Sequence, residues 1–191
     1  MSFAKSEYDG WLDKYFYLSD EHKTVVELGC GFGDDTTFLL KTGHRIISCD
    51  LSEESLAELK RRYPHAETKH LNLMNPFPFE DDSADMVIAS LCLHYFSDEE
   101  VRKPLAEIRR ILKPDGFFLC RLNSENDRIL GNADEQDLGS GMYMTKDGLK
   151  RFYSEDLVRE VFTDFRLISL IKYETTKYSR LKSLWEFVAL P

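Results

Sequence analysis

The 191-residue sequence has no apolar run approaching the ~20 residues that a bilayer-spanning helix needs, so no membrane partner is expected. Its opening, MSFAKSEYDGW, lacks a basic stretch followed by an apolar one, so no secretory leader is expected either. Positive charge is in deficit. Lys and Arg number 25 against 34 Asp and Glu, a formal net charge of −9, which disfavours a nucleic-acid partner because phosphates demand cations. Cysteines are few, at Cys30, Cys49, Cys92 and Cys120, and none forms a C-x-x-C pair, so no metal site is expected. Each lies beside apolar residues, as buried reduced thiols of a cytoplasmic protein do. A reactive Cys30, in a glycine-rich turn, is the lesser alternative to that buried reading. Internal repeats, low-complexity tracts and linkers are also missing, and one domain over 1–191 is expected. What is present suffices for a core without staples, since 42% of residues are apolar and 13% aromatic.

Strand and helix signals alternate. TVVEL (24–28) is a β-branched run halted by glycines, the mark of a buried strand. Residues 34–41 open with acids and close with Lys before Gly43, as a helix does. A strand at 45–49 ends at Asp50, and Ser52 caps a helix that stops before Pro64. Further strands are expected at 69–73, 84–91 and 117–122, with a loop at 75–82, a helix at 99–112 and a Lys113-Pro114-Asp115-Gly116 turn. Residues 123–150 are polar, punctuated by glycine and without a sustained period, so they read as a long loop. A helix at 154–162 and two strands, 165–173 and 184–190, finish the chain. This order predicts an α/β, Rossmann-like, doubly wound and mostly parallel seven-stranded sheet, closed by an antiparallel C-terminal hairpin. Such sheets bind ligands beyond the carboxyl ends of their strands, where strand order reverses. Residues 1–22 are expected to form a helical cover, with Tyr8 and Trp11 as its aromatics, and 123–150 to lie on the substrate side.

The most informative segment is Glu27-Leu28-Gly29-Cys30-Gly31-Phe32-Gly33-Asp34-Asp35. Glycines there let the backbone turn sharply and approach a ligand. Asp50 ends the next strand, 21 residues after Gly29, where an acid commonly accepts hydrogen bonds from ribose hydroxyls. The dinucleotide fingerprint G-x-G-x-x-G/A would put Gly or Ala at position 34, which is Asp34, and Asp35 follows. Two carboxylates at a phosphate cradle repel phosphate. A nucleoside cofactor without phosphate fits better than a nicotinamide dinucleotide.

Glu27-x-Gly29-x-Gly31-x-Gly33 followed by Asp50 resembles class I S-adenosylmethionine-dependent methyltransferases. The resemblance extends by motif over about 20–122. It implies S-adenosylmethionine as cofactor, with Gly29, Cys30 and Gly31 under the methionine moiety and Glu27 helping to hold its amino group. It also implies Asp50 on the ribose, Leu51 against the adenine, Asn72 and Leu73 at the adenine edge, and Ser90 along the methionine chain. The family's usual Asp is replaced here by Asn72, whose amide oxygen can still accept.

On the substrate side, Ser90-Leu91-Cys92-Leu93-His94-Tyr95-Phe96 follows the fourth strand. His94 is the candidate catalytic residue, as base for a hydroxyl acceptor or as a positioning group. Tyr95, Arg121, Asn123, Arg128 and Tyr143 are candidate substrate contacts, the arginines for an anionic group on the acceptor. The expected activity is methyl transfer to a small-molecule acceptor. The competing readings are a nicotinamide-dependent reductase, which Asp34 opposes, and a non-catalytic S-adenosylmethionine binder.

Overall fold

Where β-branched runs stop at glycine or Asp, the chain folds into strands that end together at one edge. The computed structural model describes residues 8–16, 22–130, 136–146, 148–176 and 181–191. In order they form helix α1 (Asp13–Phe16), β1 (Thr24–Leu28), α2 (Asp34–Leu39), β2 (Arg45–Asp50), α3 (Glu53–Arg62), β3 (Glu67–His70) and β4 (Ala84–Ser90). After a single 3₁₀ turn, Leu93–Tyr95, come α4 (Asp98–Ile111), β5 (Leu112–Asn123) and α5 (Glu125–Leu130). Then follow β6 (Gln136–Gly139), β7 (Met142–Thr145), β8 (Gly148–Arg151), α6 (Glu155–Val161), β9 (Arg166–Thr175) and β10 (Lys182–Leu190).

Seven strands form one sheet in the order β3-β2-β1-β4-β5-β10-β9. β10 runs antiparallel to both β5 and β9, while the pairs from β3 through β5 are parallel. The order reverses between β1 and β4, which places the crevice expected of such sheets at the ends of those two strands. Alternation along the strands divides the core. Val26, Ile47, Val87, Phe118 and Phe187 pack on α4 through Val101, Leu105 and Ile108, and on α6 through Val158. Val25, Ile46, Ile88, Leu119 and Val188 belong to a second cluster, closed by Trp11, Leu12 and Leu39. Each fully buried aliphatic side chain is worth about 1.5–3 kcal/mol relative to exposure.

Helix starts follow the side-chain chemistry. Ser52 Oγ accepts from the Ser55 amide at 3.1 Å, and Ser154 Oγ from that of Leu157 at 3.2 Å. Ser97 and Glu100 form a reciprocal capping box, so α4 begins one residue earlier than its apolar period implies.

Three expectations change. The third strand is Glu67–His70 rather than 69–73, because its partner β2 stops at Asp50, leaving Asn72 and Leu73 in the loop beyond. Lys113-Pro114-Asp115-Gly116 falls within the span of β5. There the pairing steps from Ala84↔Leu112 to Met86↔Phe117, so these four residues bulge from the ladder. The long loop at 123–150 is not a loop throughout. It contains α5 and a separate three-stranded antiparallel sheet, β6-β7-β8. Of this segment, residues 131–135 and 147 lie outside the described residues, as do 1–7 and 17–21 of the expected N-terminal cover.

Candidate active site

At the carboxyl end of β1 the backbone enters the left-handed region at Gly29 (φ 65°) and again at Gly31 (φ 52°). A Cβ on Gly29 would stand 2.5 Å from that of Cys92, so the glycine permits the close approach of β1 and the segment after β4. A Cβ on Gly31 would meet none of the described residues within 4 Å. The loop is thus held tightly on one side and open on the other. Asp50 fixes it in place, with Oδ2 accepting from the Gly31 amide at 2.7 Å and Oδ1 from the Ser52 amide at 2.8 Å. A carboxylate offers about four acceptor positions, so two remain for ligand hydroxyls.

Glu27 points the other way. It is 3% exposed, and its Oε2 accepts from Thr36 Oγ1 at 2.6 Å and Ser48 Oγ at 2.7 Å, tying β1 to α2 and β2. Burial, reinforced by Asp35, pushes its carboxyl up to about 8 although both hydroxyls pull it down. Asn72 Oδ1 accepts from the Met74 amide at 2.9 Å, shaping the loop that follows β3, and Leu51 is exposed. Leu91, next to Ser90, has a φ of 57°, a costly conformation for a non-glycine residue at the strand-order reversal.

Burial decides the chemistry of one thiol and one imidazole. Cys30 is buried, as expected of all four cysteines, and desolvation, with Glu27 adding to it, raises its pKa strongly, so its thiol is poorly nucleophilic. His94 is 2% exposed, its Nδ1 has no hydrogen-bond partner among the described residues, and burial with Lys182 and Lys150 lowers its pKa to about 3. The ring is neutral across the physiological range and a weak base, which favours positioning over proton abstraction.

Arg121 departs from its expected task of meeting a substrate anion. Its guanidinium is 1% exposed and committed within the fold. Nε and Nη2 donate to Ser90 Oγ at 3.0 and 2.8 Å, and Nη1 to Asp9 Oδ2 at 2.8 Å. Nη2 stands 3.5 Å from Asp35 Oδ2, and the Trp11 ring lies 4.3 Å away. Asn123 is also internal, with Oδ1 accepting from Lys182 Nζ at 3.2 Å. Tyr95 is exposed and packs on the His94 ring. Tyr143 donates to Asp137 at 3.1 Å, stacks edge-on against Phe152, and lines an open cleft of about 660 Å³ with Glu125, Asp156 and Glu160. Arg128 belongs to α5, but its side chain lies outside the described residues.

Asp9 and Arg151 escaped the sequence reading, as did the approach of Cys92 to Gly29. The glycine at 29 hinted at a close neighbour, but not which one. Arg151, fully buried, binds Asp98 across 53 positions, a pairing without any local signal.

A mostly parallel sheet with this strand order, a glycine loop open on one side and an acid closing the second strand together define the class I methyltransferase architecture. Residues 25–116 match the sequence pattern of a methyltransferase domain. An uncharacterized methyltransferase-like protein of Schizosaccharomyces pombe is 33% identical over 120 residues, covering 62% of this chain and 45% of that protein. A tRNA N(3)-cytidine methyltransferase of Gallus gallus is 26% identical over 152 residues, covering 73% and 41%. The crystal structure of a SAM-dependent methyltransferase from Methanosarcina mazei superposes with a TM-score of 0.81 at 19% identity, over 93% of this chain and 96% of that one. Residues 25–116 belong to that methyltransferase domain family, the chain's fold is that of the class I S-adenosylmethionine-dependent methyltransferases, and S-adenosylmethionine is the cofactor of that class. It spans about half the length of the curated relatives it matches, 45% and 46% for the two fission-yeast proteins.

Proposed function

We propose that this chain transfers the methyl group of S-adenosylmethionine to a small-molecule acceptor in the cytoplasm. The observation carrying this reading is the Asp50–Gly31 contact beside a loop whose open side has room at Gly31. The residues fit the cofactor chemically. It brings no phosphate, so Asp34 and Asp35 do not repel it, and its cationic groups suit an acidic crevice. Asp50 would accept from the ribose hydroxyls, Leu51, Asn72 and Leu73 would meet the adenine, and Gly29, Cys30 and Gly31 would pass beneath the methionine part. Ser90, bonded to Arg121, borders that part, and Glu27 supports it by holding α2 to β1.

When bound, the cofactor supplies an electrophilic methyl group on a sulfonium. The protein's task is alignment, since methyl transfer needs an acceptor atom held in line rather than an obligatory side chain. His94 would place the acceptor as a neutral ring, with Tyr95 and Tyr143 on the acceptor side. The four cysteines among the described residues are free and buried, which suits a reducing compartment. No helix among the described residues is long and apolar enough to cross a membrane.

A nucleic-acid acceptor is the second reading, favoured by the tRNA-modifying relative and opposed by the net charge of −9. Purified protein with S-adenosylmethionine, challenged separately with small-molecule extracts and with total RNA, separates the two. Formation of S-adenosylhomocysteine only with the small-molecule fraction supports the proposal. Formation only with RNA overturns it.

A further inference from the structure

Resting on the reading above, we propose that Arg121 is a positioning residue of the cofactor site. It holds the Ser90 hydroxyl at the end of β4 and clamps residues 8–16 beside the crevice through Asp9, so that bound cofactor leaves only when this clamp opens.

Arg121 lies on β5 in register with Ser90 of β4 on one side and Glu186 of β10 on the other. Its planar fork reaches both elements that meet at the crevice. Two of its nitrogens bind Ser90 Oγ, and Nη2 approaches Asp35 in the first turn of α2, directly behind the glycine loop. The third nitrogen, Nη1, reaches Asp9, 112 positions away. A buried charge is a poor device for stability alone, since apolar replacement of such pairs is often neutral or favourable, whereas a guanidinium fixes orientation.

The N-terminal segment is also held independently of Arg121. Tyr15 donates to Glu186 at 2.6 Å and Lys14 pairs with Glu186 at 2.5 Å. Tyr8 stacks on Phe38 of α2 at 4.6 Å and donates to Asp13 at 2.7 Å. Loss of the Asp9 contact therefore frees the edge nearest Ser90 while leaving the segment docked, which is the behaviour of a clamp rather than of a core pair.

The test compares wild-type protein with Asp9→Asn, Arg121→Lys and Arg121→Met. The readouts are melting temperature, S-adenosylhomocysteine release by stopped-flow chase, and hydrogen exchange of residues 8–16 with and without S-adenosylhomocysteine. Asp9→Asn should stay folded, with a lowered melting temperature because the buried Arg121 loses a counter-charge, and release the ligand about tenfold faster than wild type at a temperature where both are fully folded. Arg121→Lys should retain part of the slow release that Arg121→Met loses. S-adenosylhomocysteine should slow exchange in 8–16 of the wild type only. Equal release rates in wild type and Asp9→Asn, or exchange in 8–16 indifferent to ligand, overturn the clamp even if the arginine variants fail to fold. A wild-type chain that binds no S-adenosylhomocysteine instead overturns the underlying functional reading, and the clamp with it.

Discussion

Asp50 Oδ2 accepts a 2.7 Å hydrogen bond from the Gly31 amide, joining the end of β2 to the glycine loop that ends β1. The same carboxylate takes the Ser52 amide at the start of α3, so one side chain orders both walls of the crevice and keeps acceptor capacity facing it. Asp50→Ala should weaken S-adenosylhomocysteine binding by about 1.5–3 kcal/mol, tenfold or more, because charge-assisted hydrogen bonds are lost. Titration calorimetry on the folded variant checks this, and an unchanged dissociation constant would reduce Asp50 to a cap.

The two glycines should separate folding from binding. Gly29→Ala places a Cβ 2.5 Å from that of Cys92 at φ 65°, so the melting temperature should fall, with a cost of about 1–3 kcal/mol. Gly31→Ala meets no atom of the described residues within 4 Å, so its cost is the strain of φ 52°, about 1 kcal/mol, while ligand affinity should fall. Equal loss of affinity in both, at equal melting temperature, would contradict a crevice on the open side of Gly31.

Glu27 makes stability depend on pH. Its carboxyl is raised to about 8 in the folded protein, so between the ordinary carboxylate range and pH 8 the folded state holds a proton that the unfolded state has lost. This contribution therefore falls as pH rises through that window, by at most about 1.4 kcal/mol per pH unit. Glu27→Gln keeps the two hydroxyl bonds available and should be relatively more stable at pH 8 than at pH 5. Denaturant midpoints at both values measure it, and parallel curves for wild type and variant would place the ionised form in the core.

His94 has the opposite sign. Its folded pKa is depressed to about 3, so below pH 6.5 the unfolded state takes up a proton that the folded state refuses, and stability is lost as pH falls. Ring nitrogen shifts by NMR should stay those of neutral imidazole from pH 8 to 5. Protonation near 6.5 would restore His94 as a candidate base.

The sequence was most legible where the determinants are local. β1, the glycine loop and Asp50 announce themselves within a few residues, and Ser52 and Ser154 cap the helices their positions imply. It was least legible where partners are distant. β6, β7 and β8 are four residues each, exposed at β6 and only partly buried at β7 and β8, and turn at Gly139 to Gly141, so no hydrophobic alternation marks them and only mutual pairing makes them strands. Arg121 was misread for the same reason. Its apolar strand context did not reveal that register would set it beside Ser90 or that Asp9 would come to meet it. His94 was correctly set at the carboxyl edge, but its burial, which decides its chemistry, depends on packing of β8 against the 93–95 turn.

The most direct test of the central claim is titration calorimetry of the purified chain with S-adenosylhomocysteine and, separately, with NAD. The account predicts saturable one-to-one binding of S-adenosylhomocysteine, weakened by Asp50→Ala, and no measurable heat with NAD. Binding of NAD with comparable affinity, or no binding of S-adenosylhomocysteine, would contradict it.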